Sequence, residues 1–121
     1  LKQANDKKLI YRNEKEFRNL IHSIVKEISK ELGVKHNRIY FRKMKTKWAS
    51  LSYTKNITIN RLIKYLPENL IKYIVFHELT HIIEKKHNKK FWQIISLKFK
   101  NYQELEKEMF TYWFLINKDL S

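Results

Sequence analysis

Residues 77–81 read His-Glu-Leu-Thr-His. On a helix, side chains four apart lie on one face, about 40° apart in projection, so the imidazoles of His77 and His81 would converge on one point. Two converging imidazoles suit a divalent transition metal. Glu78, about 100° round from His77, would flank such an ion and take a proton from a water beside it. The chemistry this spacing suits is hydrolysis by a metal-activated water with Glu78 as general base. A catalytic zinc site has three protein ligands and an open position. His87 is the candidate for the third, six residues after His81 and just before Asn88, a residue able to cap a following helix. Carboxylates further on, Glu104, Glu106 and Glu108, are rivals, although their spacing also suits a solvated acidic helix face. Glu84, one turn after His81, could orient a ligand imidazole. His22 and His36 lie in a first helix and the loop after it, and read as structural or solvated.

Elements with strong periodicity must position these residues. Phe17, Leu20, Ile21, Ile24, Val25, Ile28 and Leu32 recur at helical spacing, opened by an Asn13/Glu16 capping box and closed at Gly33. From Asn37 to Asn60 the chain turns β-branched and aromatic, with alternation at Ile39/Phe41, Trp48/Ser50/Ser52 and Ile57/Ile59. This predicts three short strands, the last two joined by a hairpin in which Asn56 takes the left-handed conformation. Pro67 suits the first turn of a helix whose apolar stripe runs from Leu70 through Ile82 and Ile83. Asn88 caps a further helix, and a last one starts near Tyr102. The expected fold is α+β: an N-terminal helix, a small, mainly antiparallel three-stranded sheet, the helix bearing His77 and His81, and two C-terminal helices.

The 121 residues suit a single domain, 1–121, with no repeat or linker. With no cysteine, thiolate metal sites and cysteine nucleophiles are excluded. No window is apolar enough for a membrane span, and the charged start lacks a signal peptide's apolar run, which gives a cytoplasmic reading. The net charge of +14 favours anionic partners, yet its lysines are spread along the whole chain, so nucleic-acid binding is not the favoured function. The apolar C-terminal run "MFTYWFLI" would either close the core or, over about 104–121, cover the cleft or pair with a second copy.

Taken in order, "RKMKTKWASLS", "NITIN", Pro67, "IKYIVFHELTH" and "HNKKFW" resemble the YgjP-like metallopeptidases and the closely similar minigluzincins, small relatives of the catalytic domains of HtpX-type membrane proteases. The resemblance implies zinc, peptide or protein substrates, and His87 as third ligand in place of a carboxylate. It also implies that an edge strand at about 47–52, with Trp48, Ala49, Ser50, Leu51 and Ser52, forms the upper rim of the cleft and binds substrate as an added antiparallel strand. Ala49 and Leu51 stand where the family usually has Gly and Cys. The His81–His87 spacing also matches metzincins, but Glu84 occupies the place of their turn-forming glycine. Two other readings follow from the same residues: a DNA-associated protease of the SprT-like kind, or a non-catalytic module that zinc merely stabilises.

Overall fold

The computed structural model describes residues 8–120, with side chains to residue 118. Helix α1 spans Glu14–Leu32. The expected capping box starts it: Glu16 N donates to Asn13 Oδ1 (2.7 Å) and Asn13 N to Glu16 Oε1 (3.1 Å). Gly33 ends it at φ 68°, a left-handed position that glycine adopts without steric cost. Phe17, Ile21, Ile24, Val25 and Ile28 form its buried face.

The sheet comprises β1 (Ile39–Arg42), β2 (Ala49–Leu51) and β3 (Ile57–Asn60) in the order β1-β3-β2. Its pairing is mixed where a mainly antiparallel sheet was expected. β2 and β3 form the antiparallel hairpin, Ser50 opposite Thr58, but β1 lies parallel to β3 in the register Ile39 to Ile57. Ile57 and Ile59 are both fully buried, which favours the central place for β3. Asn60 makes the crossover possible. Fully buried, it donates through Nδ2 to Met44 O (3.1 Å) and Lys47 O (2.7 Å) and accepts from Leu62 N (3.1 Å), pinning the loop that carries the chain from β1 to β2. In the hairpin, Lys55 and not Asn56 takes positive φ, 66°. Asn56 is committed elsewhere, its Oδ1 accepting from Arg38 N (2.9 Å).

A 3-10 turn at Arg61–Tyr65 buries Ile63 and leads to Leu66 and Pro67. Pro67 caps α2 (Glu68–Thr80) from just outside it. Leu70, Ile71, Tyr73, Ile74, Val75, Phe76 and Leu79 are all buried, making α2 the central element of the core. It ends earlier than its apolar stripe suggests. Three-residue bonds close it, among them His81 N to Glu78 O (3.1 Å) and Ile83 N to Thr80 O (2.9 Å), and Ile83 is 41% exposed. Helix α3 (Lys89–Lys98) starts on the Asn88 cap, with Phe91 N donating to Asn88 Oδ1 at 3.0 Å. Helix α4 (Tyr102–Leu120) buries Leu105, Tyr112 and Ile116, so it does close the core. Among the described residues no helix is long and apolar enough to cross a membrane.

Candidate metal centre

His77 projects from the last turn of α2, His81 stands at its C-terminal cap, and His87 returns from the following turn. The Nε2 atom of His87 lies 3.1 Å from that of His77 and 3.1 Å from that of His81. A tetrahedral zinc with bonds near 2.05 Å would separate its ligand nitrogens by roughly 3.3 Å. Three imidazoles share one point, and together they could hold a metal ion.

The outer nitrogens and ring faces are also held. His81 Nδ1 lies 3.1 Å from Glu84 O, which directs its Nε2 lone pair inward. Glu84 therefore supports His81 through its backbone, and its carboxylate accepts from Asn88 Nδ2 (2.8 Å). His77 Nδ1 lies 3.3 Å from Glu106 Oε2 on α4, close but without good hydrogen-bond alignment. Tyr73 donates its hydroxyl proton to the same carboxylate oxygen. Phe91 stacks on His81 (4.6 Å, 25° between planes) and Trp92 on His87 (5.8 Å, 25°). In "HNKKFW" the asparagine thus caps the helix and the two aromatics fix the rings.

The electrostatics keep these groups in useful states. Burial lowers the pKa of His81 and of His87, so both stay neutral and able to donate a lone pair below the usual imidazole midpoint. Burial raises Glu106, but His77 and Tyr73 outweigh it and hold the carboxyl below its ordinary value. Tyr73 moves the other way, its phenol pushed up by burial and by Glu106. Glu78 is raised to about 7, chiefly by burial, against the opposing pull of His77, Lys47 and the Leu51 backbone.

The histidines and Glu78 open onto a cleft of about 510 Å³. Strand β2 is an edge strand, and Ala49, Leu51 and Ser52 line the wall opposite α2. Trp48 lies in a second cavity of about 450 Å³, which shares His77, Glu78, His87, Lys47 and Ala49 with the first and is bounded by Glu106 and Met109 of α4. Ser50 pairs with Thr58 and lines neither. His22 and His36 stand outside the cluster, His22 beside Phe41 (ring centroids 6.0 Å) and His36 Nδ1 against Asn37 O (2.8 Å). Of the rival carboxylates, Glu106 reaches the site, but behind His77 and not at the convergence point.

A family model described as the YgjP-like metallopeptidase domain matches residues 1–112. The chain belongs to the YgjP-like metallopeptidase family. The fold agrees with crystal structures of two metallopeptidase zymogens. Jannalysin of Methanocaldococcus jannaschii is 32% identical, with a TM-score of 0.68, over 74% of this chain and 93% of that one. Abylysin of Pyrococcus abyssi has a TM-score of 0.69 over 75% of this chain and 92% of that one, and at 24% identity its likeness is one of fold. A third relative, the UTP pyrophosphatase of Escherichia coli (strain K12), is 38% identical over 50 residues. That stretch is 41% of this chain and 30% of the relative's length. The chain is thus a YgjP-like minigluzincin.

Proposed function

We propose that residues 1–121 form one zinc-dependent endopeptidase domain in which His77, His81 and His87 hold the metal and Glu78 is the general base. The observation that carries this reading is the meeting of three histidine nitrogens beside a half-buried carboxylate, in a cleft walled by an edge strand. Zinc, when bound, supplies Lewis acidity that polarises the scissile carbonyl and makes a neighbouring water more acidic. Glu78 accepts the proton of the attacking water and returns it to the leaving amine. The substrate lies antiparallel to β2, the edge strand of the sheet, and extends it. Edge pairing is sequence-tolerant, so side-chain preference must come from the residues around the strand.

Latency fits the same arrangement. Helix α4 walls the second cavity with Met109, and Trp113 packs edge-on to Trp48 at 4.8 Å, so α4 narrows the end of the cleft near the start of β2. Both solved neighbours are zymogens. The exposed Phe110 and Phe114 of α4 offer a face for a second copy of the chain.

Elemental analysis of protein purified without added metal tests the centre. Wild type should carry about one zinc per chain, and His77→Ala, His81→Ala and His87→Ala much less. Zinc retained without His87 would remove it from the site. The similarity to a UTP pyrophosphatase supports a second reading, hydrolysis of a nucleoside triphosphate by the same centre. Pyrophosphate release from UTP by the zinc-loaded chain, with no cleavage of denatured protein, would favour it.

A further inference from the structure

Resting on the peptidase reading, we propose that Lys55 and Lys85 select substrates carrying acidic residues shortly N-terminal to the scissile bond. Both line the cleft at the hairpin end of β2, beyond Leu51 and Ser52, and Lys47 lines it near the strand's start. The one carboxylate among the lining residues is Glu78, which is half-buried. A peptide paired antiparallel to β2 meets Leu51 and Ser52 with its N-terminal half and Ala49 with its C-terminal half. Its N-terminal half therefore runs toward the two lysines.

Two local features bear on these side chains, in addition to their place in the cleft lining. The Lys85 ammonium sits 5.6 Å from the centre of the Tyr53 ring, a cation–π contact that holds it toward the hairpin. Lys55 occupies the left-handed position of the turn, φ 66°, closed by Lys55 N donating to Ser52 O at 2.9 Å. Glycine is the residue with least strain there, so a lysine is accepted against backbone preference. Exposed and part of the cleft lining, it adds a cation where glycine would add none. Strain kept at the edge of a site, with a cation in return, is what a selectivity residue would show.

The test is binding, which does not depend on turnover. Zinc-loaded Glu78→Gln protein is titrated at low salt with labelled peptides that differ only in carrying Glu, Gln or Lys in the N-terminal half. The Glu peptide should bind about tenfold tighter than the Lys peptide, with the difference shrinking as salt is added. Adding Lys55→Gly should cut that preference several-fold while the melting temperature stays equal or rises, an outcome a structural role for Lys55 would not give. Lys26→Gln, on the exposed face of α1, should change neither. Equal affinities for the three peptides, or a preference untouched by Lys55→Gly and Lys85→Gln, would overturn the inference while leaving peptide cleavage by wild type intact. No binding of any peptide, with UTP bound through the same two lysines, would overturn both it and the peptidase reading.

Discussion

Glu78 holds its proton to about pH 7 because its carboxylate is largely cut off from water, and His77, Lys47 and the Leu51 amide only partly compensate. A general base must be ionised, so kcat/KM should fall as pH drops and Glu78 becomes protonated. A cation held by the histidines would pull the carboxyl down. The acidic limb of the zinc-loaded enzyme should therefore lie between 4.5 and about 7. A pH profile that is flat across that window would remove Glu78 from proton transfer. Glu78→Gln should keep zinc and lose roughly a thousandfold or more in turnover, read by elemental analysis beside a peptide assay. Behind His77, Glu106→Gln keeps the shape but weakens the charge that orients the imidazole. Zinc affinity measured by chelator competition should drop about 10- to 100-fold.

At the scale of elements, the turn from α2 into α3 sets the third histidine. Asn88 joins both sides of it, accepting from Phe91 N and donating to Glu84. Asn88→Ala should cost about 1 kcal/mol in denaturant unfolding and also weaken zinc binding, since His87 is its neighbour. A loss of stability with unchanged zinc affinity would show that the rings alone hold His87. Helix α4 is where latency is to be sought. Removing it would strip Leu105, Tyr112 and Ile116 from the core and Glu106 from His77, so truncation cannot separate latency from folding. Met109→Ala instead enlarges the second cavity and leaves those contacts in place. Turnover of long peptides should rise; unchanged or lower turnover in a folded variant would count against α4 as the block.

For the molecule as a whole, the proposed site ties elements together. The three histidines join the end of α2 to the turn before α3, and Glu106 brings in α4. Zinc at a thousand times its dissociation constant would add about 4 kcal/mol to stability. Its removal should lower the melting temperature by about 10 °C or more. Refilling should restore it, and the His87→Ala protein should show little response.

The sequence alone determined most of what local chemistry controls. HELTH, its helix, the Asn13/Glu16 box, Gly33, the Asn88 cap and the β2–β3 hairpin all depend on residues within a few positions of one another, and short-range periodicity reports such contacts directly. The resemblance carried by the ordered motifs favoured His87, already a candidate by its spacing, over the carboxylates and added the expectation of a rim strand. The tertiary structure decided what depends on distant residues meeting. The parallel β1–β3 pair rests on a buried Asn60 reaching back to Met44 and Lys47. Glu106 reads in sequence like its acidic neighbours, and only the packing of α4 against α2 turns it toward His77 and Tyr73. The Lys55 turn and the early end of α2 belong with these. Each is a local preference overruled: a lysine accepts the left-handed turn with Asn56 engaged by Arg38, and α2 stops at Thr80 with His81 bonded to the turn that returns His87.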